Sequence, residues 1–151
     1  MACNSRLKFE FQPTLVTELH KSARGSKRSA RSCNCSRARC VHAELGPGFV
    51  ESIYSRALVA ELRTHGFQVE REKLIKIWYG ASLVGKHRLD IVVDWAVIVE
   101  LKAGRGIIKV HTAQMNSYLH ATTYPLGLIL NFGMPELEYE LITSPKNKEL
   151  Q

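Results

Sequence analysis

From residue 49 onward, apolar and polar positions alternate with two distinct periods, and each stretch ends in a turn or breaker residue. Residues 49–65 follow Gly46-Pro47-Gly48, a turn that favours the start of a helix, and set Val50, Ile53, Ala57, Leu58 and Leu62 at spacings of three and four. That spacing predicts a helix with one apolar face, and Gly66 supplies its stop. Residues 67–79 read as a strand with Lys and Glu interleaved, turning near Gly80 into a second strand over 82–93. Residues 96–103 form a third. Residues 107–123 return to helical spacing, marked by Ile107, Ile108, Val110 and Leu119, until Pro125 breaks the run. The apolar run 126–132 and the short alternating run 137–142 read as two further strands. The predicted order is α-β-β-β-α-β-β, an α/β (α+β) fold with helices flanking a mixed central sheet.

Upstream the pattern fails. Residues 20–40 hold almost nothing to bury, and such composition does not offset the entropy of ordering a chain. A poorly ordered segment is expected over 1–40, a folded domain over 41–143 and a polar tail over 144–151. The charge divides at the same place. Residues 1–40 carry nine Lys and Arg against two Asp and Glu, whereas the remainder carries 12 of each, so the whole net charge of +7 lies in the N-terminal segment. A basic arm can bind phosphate backbone non-specifically, but the folded part gives no general basic signal. Cys3, Cys33, Cys35 and Cys40 all fall in this segment. With His42 they match no common metal spacing, and reduced thiols in coil are the better reading. No apolar run approaches the roughly 18–20 residues of a membrane span, and the first residues lack a signal-peptide pattern, so a cytoplasmic protein is expected.

The candidate chemistry lies in residues 88–102. Asp90 stands near the end of one apolar strand, and Glu100 and Lys102 stand two residues apart on the next. Strand side chains alternate faces, so Glu100 and Lys102 share one side and Val99 and Leu101 the other. Charge in so apolar a strand is costly to bury without a partner. A two-residue turn at Asp94-Trp95 would put Asp90 and Glu100 on opposite faces, whereas a three-residue loop centred on Trp95 pairs them directly. The shared face is the expectation. Two opposed carboxylates repel unless a cation or proton lies between them, which makes the pair a plausible half-site for Mg²⁺ completed by water, phosphate and the Leu101 carbonyl. Lys102 could orient or help deprotonate a water, or stabilise charge on a phosphate. A plain Glu–Lys pair on an exposed face fits the same spacing. Glu51 is a third acid, on the first turn of the first helix, where acids also occur for dipole reasons alone. His111, Gln114 and Tyr118 follow one another at spacings of three and four and fall on one face of the second helix. That stripe suits water, phosphate or a base, or a solvated face with Tyr118 tucked into the core.

Taken in order, these residues resemble the GxxExxY family of the PD-(D/E)xK nuclease superfamily. The resemblance is carried by Val41-His42, Leu45-Gly46-Pro47-Gly48, Glu51, Tyr54, Glu61-Leu62, Arg88-Leu89-Asp90, Val99-Glu100-Leu101-Lys102, His111, Ala113-Gln114, Tyr118-Leu119 and the run 127–133. It implies a restriction-endonuclease-like core and a site for Mg²⁺ (or Mn²⁺). Asp90 and Glu100 become metal ligands with the Leu101 carbonyl, Lys102 the catalytic lysine, Glu51 an acid supporting the metal or its waters, and Gln114 a polar residue from the following helix. His111, Tyr118 and Arg88 are then candidate contacts to nucleic acid. Arg88-Leu89 stands where the superfamily name has a proline before the Asp, a mild departure. The larger departure is upstream, where Arg/Ser/Cys-rich sequence replaces an apolar helix and the match begins abruptly at Val41. A shift of reading frame or decay of the gene would produce that change. It predicts a missing helix, an uncovered face, and marginal stability or a homodimer. The expected activity is metal-dependent hydrolysis of nucleic acid, DNA favoured. A non-catalytic nucleic-acid-binding or interaction module, and an inactive remnant, are the alternatives.

Overall fold

The computed structural model describes residues 27–145, with side chains from residue 34. Residues 1–26 of the expected N-terminal arm and 146–151 of the expected tail lie outside them. Three helices and five strands follow in the order α1 (Lys27–Leu45), α2 (Glu51–Thr64), β1 (Val69–Tyr79), β2 (Ser82–Val93), β3 (Val97–Lys102), α3 (Lys109–Ala121), β4 (Leu126–Asn131) and β5 (Glu138–Thr143). The strands form one sheet in the spatial order of the sequence. β3 and β4 are parallel, joined through α3, and the other neighbours are antiparallel. The sheet is therefore mixed, flanked by helices, as its periods predicted.

α1 corrects the expectation of coil. Residues 27–40 are helical, and the helix expected to be missing is present. Its buried face is built from Asn34, Ala38, Val41 and His42, at positions i, i+4, i+7 and i+8. The stripe is small and polar rather than greasy, so a count of large hydrophobes passes over it. Ala and Arg, frequent here, are good helix formers. Arg37 reaches Glu61 of α2 at 3.3 Å, and a His42 ring nitrogen meets the Met134 carbonyl at 2.8 Å. With Ala38 and Val41 in the core against Tyr54 and Leu58, that face of the sheet is covered. The reason for expecting a homodimer goes with it. Cys35 and Cys40 on this helix are in no disulfide, and burial pushes the Cys35 thiol up.

The two helix faces also differ from the predicted stripes. α2 buries Tyr54, Ser55, Leu58, Val59 and Leu62, while Val50 and Ile53 are exposed. Val50 is the residue before the first turn, so it is not on the face at all. Gly66, at φ +82°, closes α2 with paired bonds from the Gly66 N–H to the Arg63 carbonyl and the Phe67 N–H to the Leu62 carbonyl. α3 buries Met115, Tyr118 and Leu119, and leaves Ile108 and Val110 exposed. α3 lies so close to β4 that a Cβ on Gly127 would overlap the Met115 side chain.

One core lies under α1 and α2 and contains Ile91, Val93, Val97, Val99 and Leu101. The other lies under α3 and contains Ile75, Leu89, Val92, Ile98 and Ile129. Strict alternation would put Leu89 with Ile91 and Val93. β2 instead changes face at Asp90. The pairing with β1 skips this position, and the facing Glu72 has φ +56°. The strand rotates there without an inserted residue, since Arg71↔Ile91 and Lys73↔Leu89 keep one register on either side.

Candidate active site

The hairpin between β2 and β3 decides where the acids point. Its register is Ile91↔Val99, Val92↔Ile98 and Val93↔Val97, leaving the three-residue loop Asp94, Trp95 and Ala96. Asp94 and Trp95 are both left-handed, at φ 48° and 51°, and the Ala96 N–H donates to the Val93 carbonyl at 3.0 Å. Consecutive left-handed residues match the twist of a tight hairpin. Asp94 secures the turn: its Oδ1 accepts from the Gln68 N–H and its N–H donates to the Gln68 carbonyl, each at 2.9 Å. Carried one step further, the register sets Asp90 across from Glu100.

Strand pairing ends at that step. The Leu101 N–H donates to Asp90 Oδ2 at 2.9 Å rather than to β2 backbone. The Lys102 carbonyl accepts from the Phe132 N–H, on the β4 side. Successive peptide groups of a strand point to opposite edges, so the Leu101 carbonyl faces the Asp90 side. Glu100 is 5% exposed. Its Oε1 accepts from Lys102 Nζ at 2.9 Å, and its Oε2 is buried with no hydrogen-bond partner. Burial, then the Asp90 charge, push the Glu100 carboxyl above its ordinary range, with the Lys102 ammonium acting in the opposite sense.

α3 contributes the third wall. Lys102 Nζ also donates to Gln114 Oε1 at 3.4 Å. Gln114 lies beside Tyr118, whose phenol is held well above its usual range by burial and by the nearby Glu100 charge. Tyr118 therefore stays protonated, and its hydroxyl shares a hydrogen bond with His87 Nε2, with the two rings stacked at 4.5 Å. Hydrogen bonds link Glu100, Lys102 and Gln114, and the Tyr118–His87 pair lies beside them. His87 was missed by sequence reasoning, because alternation from Asp90 points Arg88 inward and His87 outward. The face change at Asp90 reverses both: Arg88 is exposed, paired in register with the exposed Leu74.

The remaining predicted residues stand apart. His111 Nδ1 accepts from the Ile108 N–H at 3.3 Å and so caps its own helix. Glu51 is exposed on the first turn of α2. Its charge is felt weakly at Glu100, but among the described residues no three His, Cys, Asp or Glu side chains gather as a metal-holding group. Tyr54 fixes where α2 begins. Its hydroxyl donates to the Gly46 carbonyl at 2.7 Å and accepts from the Phe49 N–H at 3.1 Å, while its ring stacks on Phe132 at 4.5 Å. Asn131 is a further missed residue. It is fully buried, accepts from the Gly104 and Gly133 N–H groups, and donates to the Gly104 carbonyl and Glu138, bracing the loop after Lys102. A concavity of about 530 Å³ between the start of α3 and Glu140 is lined by none of the acid–lysine cluster.

A mixed sheet flanked by helices, with an acid pair and a lysine where two central strands part, defines the restriction-endonuclease-like class of fold. The sequence model of the PD-(D/E)XK nuclease superfamily matches residues 32–142, and the chain belongs to that superfamily. The match begins within α1, ahead of Val41. Nucleases of this superfamily act on nucleic acid and generally use divalent metals. Among solved structures, one described as "Crystal structure of SSO0001" is similar at 21% identity with a TM-score of 0.50, over 63% of this chain and 50% of that one. The likeness is one of fold, and this chain spans about half the length of that structure. No curated protein matches the chain. No helix among the described residues is long and apolar enough to cross a membrane.

Proposed function

We propose that the protein is a divalent-metal-dependent phosphodiesterase acting on nucleic acid, DNA favoured, within the GxxExxY branch of its superfamily. The observation that carries the reading is the buried, unpartnered Oε2 of Glu100, opposite Asp90 and beside Lys102. A buried carboxylate oxygen without a donor is unfavourable unless something positive meets it. Asp90, Glu100 and the Leu101 carbonyl would hold Mg²⁺ or Mn²⁺, an all-oxygen set suited to hard cations. A cation bound there supplies polarisation of the phosphate and a lowered pKa for a bound water.

The chain's own residues do the rest. Lys102 neutralises Glu100 and presents its ammonium to the phosphate or the attacking water. Gln114 holds Lys102 from the helix side. Glu51, on the first turn of α2 after the Tyr54-pinned loop, would orient outer waters. The branch assignment rests on Gly48, Glu51 and Tyr54, whose spacing matches the motif. A second reading, a binding module that keeps the fold without catalysis, is favoured by the lack of a third metal-holding side chain among the described residues.

Cleavage of single-stranded DNA, duplex DNA and RNA, with and without divalent metal, separates the two. Glu100→Ala and Lys102→Ala are expected to lower a metal-dependent rate by about 10²–10³-fold or more. Cleavage that survives both changes, or that needs no metal, would sink the mechanism.

A further inference from the structure

β2 has 12 residues, yet only its last three, Ile91 to Val93, pair with β3. The rest pairs with β1 alone, so the two strands continue past the sheet as a ribbon. One face of the ribbon carries Ile75, His87 and Leu89 toward α3. The opposite face shows the pairs Leu74↔Arg88, Lys76↔Lys86 and Trp78↔Leu83, all six exposed. Lysines directly opposed on one face repel. Among the described residues, Lys76, Lys86 and Arg88 enter no ion pair, because the nearby acids Glu70 and Glu72 are taken by Lys73 and Arg71. The ribbon thus holds three uncompensated cations, two of them face to face, beside a Trp78 that is 57% exposed.

We propose that this outer face binds a single-stranded stretch of nucleic acid, with phosphates on Lys76, Lys86 and Arg88 and a base stacked on Trp78. The proposal rests on the nuclease reading for the choice of polyanion. Cations along an extended surface track a phosphate backbone, and an exposed aromatic adds stacking that any unpaired base can use. A base inside a duplex has its faces covered, so Trp78 favours the single strand. Exposed lysines on edge strands also discourage strand-to-strand aggregation, but that role has no use for an uncovered tryptophan among them. Arg88 lies two residues from Asp90, about 7 Å along the strand, on the face of the ribbon turned away from α3.

The test is fluorescence anisotropy of labelled oligo-dT and of a blunt duplex of equal length, on the full chain in chelator, across a salt series. Trp78→Ala is expected to weaken oligo-dT binding about 10-fold and leave duplex binding unchanged. K76Q/K86Q/R88Q together are expected to reduce the slope of log affinity against log salt by about 2, and R88Q alone by about 0.7. Circular dichroism of each variant checks the fold, and R88Q serves if the triple change unfolds. No binding by the unaltered protein, or a salt slope untouched in the variants, overturns the proposal. So does Trp78→Ala acting on duplex and single strand alike. Because binding is read in chelator, absence of cleavage in the separate assay with divalent metal refutes the nuclease reading and leaves this measurement standing.

Discussion

α1 and the β2–β3–α3 corner each bury a polar group that nothing satisfies, and the two groups mean opposite things. On α1, Asn34 is 1% exposed, and among the described residues neither its amide nitrogen nor its oxygen has a hydrogen-bond partner. At the corner, Glu100 leaves Oε2 in the same condition. Around Asn34 the helix face continues with Ala38 and Val41, which offer no polar atom and no charge. Around Glu100 stand Lys102, Asp90 and, through Lys102, Gln114. An orphan amid apolar neighbours is a cost to the fold. An orphan among converging charges is what the proposed metal site would use. Burial does not distinguish them, but their surroundings do.

The strongest way to break that contrast is Glu100→Gln. It should lower cleavage by about 10²–10³-fold, whereas Asn34→Leu should leave cleavage unchanged. Glu100 also has a stability signature. Its carboxyl is raised above the ordinary value of about 4.5, chiefly by burial and then by Asp90. The folded chain therefore holds this proton more tightly than the unfolded chain does. Stability is greatest below the ordinary value and falls as pH rises through the raised one. Denaturation midpoints in chelator should show that fall in the unaltered protein. The fall should be smaller in Glu100→Gln, and smaller in the unaltered protein at saturating Mg²⁺ or Mn²⁺. A fall of equal size in all three would mean that Glu100 is not the group under strain.

At Asn34 the sign reverses. Asn34→Leu removes two unsatisfied polar atoms and puts apolar volume against Val41 and its neighbours. It should raise stability by about 1–3 kcal/mol, read by chemical denaturation. A loss instead would show that the amide has a partner or that the space is too tight for a leucine.

The same two regions mark what was legible in the sequence. The strands and the last two helices were readable because large apolar residues repeat with clear periods. The placement of Asp90 across from Glu100 was readable because a shared face needs a loop longer than two residues, or a bulge, and the loop has three. α1 was not readable, since its stripe of Asn34, Ala38, Val41 and His42 has the helical period without the hydrophobicity. His87 was hidden for another reason. Alternation along β2 holds until Asp90 and then reverses, and the cause lies on β1, at left-handed Glu72. A single strand's pattern carries no sign of a kink imposed by its neighbour. The exposed Val50, Ile53, Ile108 and Val110 misled because large apolar residues near helix starts need not lie on the buried face.

The smallest effect concerns how α1 is held. Arg37 Nη1 lies 3.3 Å from Glu61 Oε1 and 2.8 Å from His65 Nε2. His65 Nδ1 lies 2.8 Å from the Glu61 carbonyl, so it donates there while Nε2 accepts from the guanidinium. That leaves the imidazole neutral, and its 3.5 Å approach to Glu61 Oε1 is not an ion pair. Only the Arg37–Glu61 contact carries charge, and both side chains are about a quarter exposed, at 28% and 26%. Such a pair is worth less than about 1 kcal/mol and is screened by salt. Glu61→Gln should therefore cost less than about 1 kcal/mol in dilute buffer, and the difference should vanish near 1 M salt. A loss several times larger that persists in salt would mean that α1 is held by its charges. The small-residue face of Ala38 and Val41 would then be incidental to docking, and the gain expected from Asn34→Leu would shrink with it.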